Sequence, residues 1–347
     1  MKRTLTLIAY SFLVFMVNNT MAQSPVALHH LGGVTMFYTS TGFTDAYNAA
    51  EAGDTIYLPG GFFAGITIDK RLAIIGAGHH PDSSVNTYAT QINGSLSFGP
   101  NADSSHIEGL HITGQVNLTA ANHKIDRLRI RRNIIDGNLN INGDRVTPSL
   151  HVEISGNIIR GPVDLSNTLN AVLCNNILQT RVHYVWNGSV SNNVFNSSPY
   201  LGYPNYIYNV VYDCDNSIIE NNVFAGGDQT LGFTYCDNSV IRKNLFAVTN
   251  IDYGSNPQTG NYTGVGVANL MVGFSSSSFL YSDNYRLKTP ATHLGSDGMV
   301  VGIYGGLRAW KEGSIPLNPH IQSKTIADKT DAAGKIQVQV KVVAQSN

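Results

Sequence analysis

One short phrase of apolar and polar positions recurs along the middle of the chain: an apolar residue, two spacers, an asparagine, then two apolar residues. It centres on Asn133, Asn157, Asn176, Asn193, Asn222, Asn244 and, in weaker form, Asn284. The stretch from Tyr212 to Phe224 repeats as Thr234 to Phe246 at a constant offset of 22 residues. A near-constant period of this size signals stacked supersecondary units. The repeated pieces are too short for helix pairs, and Ile, Val and Phe alternate with Gly and Asn, so short strands joined by turns are expected. A coil of three short strands takes roughly 20 to 25 residues, and stacking sets equivalent residues about 4.8 Å apart, each strand pairing in parallel with the next. The recurring asparagines then belong to the bends, where their amides bond backbone and one another.

The ends of the repeat carry different patterns. Phe43-Thr44-Asp45-Ala46-Tyr47-Asn48-Ala49-Ala50 reads as a short amphipathic helix, followed by Gly53-Asp54-Thr55-Ile56-Tyr57-Leu58-Pro59-Gly60 and the strand Ala73-Ile74-Ile75-Gly76. An open end of an apolar core has to be covered, and a helix can do so. Near the C-terminus Ile336, Val338, Val340 and Val342 alternate with Gln337, Gln339 and Lys341, as in a half-buried strand, with Ile321 to Ile326 as its partner across Asp331-Ala332-Ala333-Gly334. These strands are expected to cap the last coil, or to offer an edge to a protein partner.

On these residues the chain resembles the right-handed parallel β-helix proteins of the pectin-lyase-like superfamily, and Asp297-Gly298-Met299-Val300-Val301-Gly302-Ile303-Tyr304-Gly305-Gly306 is similar to a final-coil motif of bacterial secreted members. The implied fold is all-β, with a short N-terminal capping helix and C-terminal β-strands. The expected organisation is a signal peptide at 1–22, a lead segment at 23–42, the parallel β-helix at 43–310 and capping strands at 311–347. The resemblance implies polysaccharide chemistry, yet Asn-Thr-Asp-Gly, Gly-Asp-Asp, Arg-x-Pro-x-x-Arg and Asp-Pro-His, which mark enzymes of this fold, do not occur.

Composition narrows the function classes. The 347 residues are 42% hydrophobic and 13% charged with a formal net charge of −1, so a core is affordable and nucleic acid is not an expected partner. Lys2 and Arg3, an apolar run from Leu5 to Val17, and Thr20 and Ala22 before a cut after residue 22 have the order of an export signal. That run is too short to span a bilayer, and no other is long enough, so an exported chain without a membrane span is expected, secreted or at the cell surface. Three cysteines, Cys174, Cys214 and Cys236, make no disulfide framework.

Candidate chemistry lies on the outside of the coils. Counting back from the repeat asparagines, position eight holds Val185, Cys214 and Cys236, which point inward by strand alternation. Position nine holds Tyr184, Asp213 and Tyr235, and position seven holds Trp186, Asp215 and Asp237. This spacing predicts a patch of three carboxylates bordered by aromatic rings. Long intervals after Asn193 and Asn244 place Tyr203 and Tyr206, and Tyr253, in loops at the same edge, where rings can stack on sugars. Asp213, Asp215 and Asp237 are the candidates for acid/base work in a glycoside hydrolase or lyase. Equally, Asp-Asn-Ser is ordinary turn chemistry, with Asp bonding its own backbone. Stacked carboxylates can also attract calcium, but the histidines show no metal-ligand spacing and no cofactor or metal site is expected. The expected function is contact with extracellular polysaccharide, by binding, with degradation or a structural role through the C-terminal strand as alternatives.

Overall fold

The computed structural model describes residues 25–81, 87–120, 123–196, 210–226, 230–233, 235–274, 278–317 and 319–344. The chain is a right-handed parallel β-helix with three sheets of 12, 9 and 7 strands, here sheets 1, 2 and 3. Successive coils pair in register, so that Ile130, Ile154, Leu173, Val190, Ile219 and Ile241 form one inward column of sheet 1. Sheet 2 supplies Ile135, Ile159, Leu178, Phe195, Phe224 and Phe246, of which the last three stack 4.6 and 4.8 Å apart. Sheet 3 closes the core with Leu96, Val116, Leu139, Val163, Val182 and Val211.

The repeat asparagines fill the bend between sheets 1 and 2. Asn193 shows the arrangement: its Nδ2 donates to Leu173 O at 2.9 Å, Ser191 O at 3.1 Å and Asn222 Oδ1 at 3.0 Å. Its own Oδ1 accepts from the backbone N–H and the Nδ2 of Asn176, both at 3.0 Å. The ladder runs from Asn133 to Asn244 and ends at Asn261, which accepts from the Asn244 amide N–H at 2.9 Å. Asn284 is not a rung, because its backbone bonds Gly273 in a later segment, so the interval after Asn244 is an ordinary coil of 17 residues.

The residue before each rung has a separate duty. Arg132, Asn175, Asn192, Asn221 and Lys243 have φ between 51° and 57°, the left-handed turn that Asn tolerates well among residues with a side chain. Thus the doublets Asn175-Asn176, Asn192-Asn193 and Asn221-Asn222 combine a turn former with a rung. The turn formers also dock the chain's return. Asn175 Nδ2 donates to Ile303 O at 2.9 Å and Gly305 O at 2.8 Å, Ser296 N–H donates to Asn221 Oδ1 at 2.8 Å, and Arg132 donates to Ile315 O at 2.8 Å.

This return corrects the expected domain limits. Parallel pairing runs from Thr55 to about Tyr262, and the described residues of 263–317 form an arm that lies back along the coils. The arm buries Leu270, Met271, Phe279, Leu287 and Ile303 against Ile134, Ile158, Ile177, Val194, Val223 and Leu245, the outward residues of sheet 2. From Ile134 to Phe246 sheet 2 is therefore apolar on both faces, which is why each of these six strands consists of two apolar residues in succession. The C-terminal strands His320–Ile326 and Val338–Val343 form an antiparallel hairpin, as expected, but the arm delivers them to the N-terminal coils instead of the last one. Leu317 N–H bonds Glu108 Oε1, and His320 and Ile321 share a cavity with Pro25 and Tyr57. Ile326, Val338, Val340 and Val342 remain at least half exposed.

At the first coil, Val26–His30 and Gly33–Phe37 join sheet 1 antiparallel, so part of the expected lead segment is sheet. The helix Gly42–Ala49 covers the core opening with Phe43 and Ala46, and Lys70 Nζ bonds the carbonyls of Tyr47 and Ala50 at its C-terminal end, where a cation is favoured. At the far end Tyr253 lies over Phe233, its ring parallel within 4°.

Two measurements check this account. Asn193→Ala orphans several buried groups, each costing about 1 to 3 kcal/mol, and is expected to lower the unfolding free energy by about 3 kcal/mol or more in urea titrations. The half-buried terminal rung gives a smaller loss in Asn261→Ala. The arm also imposes a pH dependence. Burial drives His79, which bonds Tyr281 of the arm at 3.0 Å, down to about 3. The unfolded chain binds this proton near 6.5 and the folded one does not, so this contribution is complete above pH 6.5 and is lost as pH falls towards 3. His79→Phe should flatten the stability profile across that window.

Candidate functional site

Of the three faces, sheet 2 lies beneath the arm, and sheet 1 carries ion-pair rows such as Arg131–Glu153 and Arg242–Glu220. Sheet 3 presents a half-buried polar column in register: Ser97, Asn117, Asn140, Asp164, His183 and Tyr212. The candidate site begins where this column runs into the turns leading back to sheet 1.

Those turns have one construction in successive coils. Val185, Cys214 and Cys236 point inward and are fully buried. The Val185 N–H bonds Cys214 Sγ at 3.4 Å, and Cys236 Sγ donates to Val211 O at 3.6 Å. Both thiols are free, as is Cys174. Asn187, Asn216 and Asn238 then turn the chain at φ of 50° to 54°, and Ser217 and Ser239 form an internal ladder, with the Ser217 N–H bonding Ser239 Oγ at 2.9 Å. The Asn-Ser portion of each repeat is consumed by architecture.

The flanking positions combine turn bonds with outward rings and carboxylates. Tyr184 and Asp213 adopt left-handed φ values of 61° and 50°, and backbone bonds hold the coils together here, from Tyr184 N–H to Tyr212 O at 2.9 Å and from Asn187 N–H to Asp215 O at 3.0 Å. Neither residue is glycine, so this conformation is strained and is held by the surrounding ladder. Around it the rings form a continuous cluster. Tyr212 and Tyr235 are 4.9 Å apart, His183 is 5.5 Å from Tyr212 and 5.8 Å from Tyr184, and Tyr184 meets Trp186 edge-on at 6.1 Å. Tyr235 is 54% exposed, so one ring stands clear of the surface.

Three carboxylates accompany the rings, though not equivalently. Asp215 Oδ1 accepts from the Asp237 N–H at 2.9 Å, a bond that fixes the turn. Burial raises the pKa of Asp213, and the charges of Asp215 and Asp237 add to the rise. His183 shifts downward, first by burial and then by Arg181, against the pull of Asp164; its Nε2 is shielded from water without a hydrogen-bond partner. A neutral imidazole with an unspent ring nitrogen thus lies among the aromatic rings. Among the described residues no group of three or more His, Cys, Asp or Glu side chains can hold a metal ion.

The structure therefore brings together Tyr184, Trp186 and Tyr235 with Asp213, Asp215 and Asp237. It separates Tyr253 from them, because that ring packs on Phe233 and Phe246 at the end of the core. Tyr203 and Tyr206 lie outside the described residues. Sequence reasoning missed His183 and Tyr212, one position before the column it aligned, and Asp164, which pairing brings beside His183. Their signal was available, since they alternate with the inward Val163, Val182 and Val211.

No protein-family model matches the chain, and no curated protein matches it. Among solved structures it is similar to a point mutant of the PL6-family alginate lyase AlyGC, with 13% identity and a TM-score of 0.26, covering 78% of this chain. The chain spans 58% of that structure's length. Among the described residues no helix is long and apolar enough to cross a membrane.

The inward thiols give a direct check on the register. Burial lifts Cys174 to about 11 and Cys214 well above the usual thiol range. All three cysteines should resist a thiol-reactive dye at pH 8 in the folded protein and react within minutes in denaturant.

Proposed function

We propose that this is an exported protein that binds a polysaccharide across the turns beside sheet 3, with Trp186, Tyr184, Tyr212 and Tyr235 as stacking surfaces. The observation that carries this reading is the joined ring cluster with carboxylates at its border, in which Tyr235 is 54% exposed. Aromatic rings offer apolar faces to the C–H faces of sugars, and carboxylates accept hydrogen bonds from hydroxyl groups. Successive coils repeat the arrangement at roughly 4.8 Å, which suits an extended polymer running across them. Three acidic groups repel a polyanion, so a neutral glycan is the favoured occupant. An acidic glycan needs a bridging cation such as calcium, and its binding would be lost on adding EDTA.

The test is an array of neutral and acidic glycans. Retention of neutral polymers by the parent chain, reduced at least about tenfold in the double variant Trp186→Ala plus Tyr235→Ala, is the expected outcome, on the scale of about 1 kcal/mol per exposed ring contact. Equal retention by both proteins removes the patch from consideration.

Glycosidic hydrolysis is a second reading, favoured by the raised pKa of Asp213 beside two further carboxylates, since such chemistry pairs a protonated acid with an ionised partner. Reducing ends should then appear on incubation with the glycan retained. Their release should stop in both Asp213→Asn and Asp215→Asn while glycan retention persists.

A further inference from the structure

The N-terminal edge of sheet 1 is open. Its outermost strand, Gly33–Phe37, pairs with Val26–His30 over five residues in continuous register, and among the described residues no strand pairs with its other side. Unpaired N–H and C=O groups along an edge invite another strand, and proteins usually guard such edges with charge, proline, a bulge or shortness. None of these guards is present here: Gly33, Val34, Thr35, Met36 and Phe37 carry no charge, no proline and no bulge, and all but Phe37 are exposed. The opposite edge of the same sheet shows the contrast, since it ends on Gln258–Thr259, two polar residues only.

The side chains around this edge are apolar and exposed as well. Leu31 is fully exposed, Val34 is 59% exposed, Met36 39% and Tyr38 58%. Val26 and Leu28 fill the core, so their cross-strand neighbours Phe37 and Thr35 share that side, and Met36 and Val34 stand on the outer face. On that face the row Met36, Ala27, Tyr57 and Ile75 is apolar, and the same row turns charged at Glu108 and Arg131 in the following coils. Ala27, Tyr57 and Ile75 share a cavity with Pro316 and Ile321 of the returning chain, which Met36 and Val34 do not line. The apolar row thus reaches the free edge with its last members in solvent.

The sequence of the strand defines what fits it. An antiparallel partner of the same sequence, centred on Thr35, sets Val34 of each copy opposite Met36 of the other, Gly33 opposite Phe37, and Thr35 opposite itself. Apolar meets apolar, Thr–Thr pairs are favourable across strands, and no charge meets a like charge. The same register carries Leu31 of one copy to Tyr38 of the other. One twofold axis therefore covers all four exposed apolar side chains and hides both edges at once. We propose that two copies of this chain join head to head through Gly33–Phe37, so that their 12-stranded sheets become one continuous sheet. Ser189–Ser191, the sheet 1 strand that follows Trp186, is eight strands from this edge. At roughly 4.8 Å per strand the join lies about 40 Å from the ring cluster and does not touch it. One strand per copy with its flanking side chains falls near the low end of stable interfaces, about 1,200 Å² in total, so the dimer dissociates on dilution.

Sedimentation of the full chain across the micromolar range should show a reversible equilibrium between one chain and two. Thr35→Lys sets two like charges face to face at the axis and should raise the dissociation constant at least about tenfold. Val34→Glu and Met36→Lys should each weaken self-association, and an equimolar mixture of the two should recover a dimer, because the new acid of one copy then faces the new base of the other. Thr35→Cys reads the axis directly. The three native thiols are buried and free, so mild oxidation should cross-link this variant into dimers, while the exposed Val146→Cys should lag far behind. A chain that stays monomeric across that range overturns the proposal, whether residues 1–24 then cover the edge or a foreign strand does. So does a dimer that Thr35→Lys leaves intact while circular dichroism shows the fold preserved, a mixture that recovers nothing, or equal cross-linking of Thr35→Cys and Val146→Cys. Glycan retention through Trp186 and Tyr235 is measured separately and is independent of these outcomes.

Discussion

Register between coils is the constraint on which the rest of this structure depends. A strand of two residues has almost no pairing energy of its own, and most strands of sheets 2 and 3 are that short. What fixes their alignment is the buried amide ladder at the bend between sheets 1 and 2. Each rung donates to a backbone carbonyl of the preceding coil and accepts from the rung before it, so a slip of one residue would strand several polar groups in an apolar interior. With the rungs fixed, inward columns of Ile, Val, Leu and Phe follow, and so does the register of everything outside them.

Three sheets have three outer faces, and the chain treats them differently. Sheet 2 is apolar outside as well as inside, which requires a cover, and the returning arm provides it. The asparagines and Arg132 that form the left-handed turns supply the bonds that hold the arm, so one residue type both bends the coil and docks its lid. Sheet 1 carries rows of ion pairs. Sheet 3 keeps a polar column, and its turns collect rings and carboxylates.

Electrostatics distinguishes the ring cluster from the rest of the surface. Around Asp213 the acidic groups outnumber cations, and burial with like charge makes one of them reluctant to ionise.

The columns Tyr184, Asp213, Tyr235 and Trp186, Asp215, Asp237 were legible from the sequence because stacking converts sequence offset into spatial neighbourhood. Once the period was read, so were the inward cysteines, the ladder and the helical cap. Asn284 was misread as a rung because local pattern cannot distinguish a bend in a coil from a bend in the arm. The same ambiguity hid the arm, and with it the true position of the C-terminal hairpin at the opposite end of the molecule. Tyr253 was misplaced for a related reason: a ring in a long interval can face solvent or close the core, and only the missing next coil decides which. The sequence by itself determined the winding, since hydrophobic periodicity and turn residues are local and repeat. Tertiary structure alone decided where the arm lies and which sheet it covers, because those contacts join residues as far apart as 75 positions for Asn221 and Ser296 and 209 for Glu108 and Leu317, with no shared period.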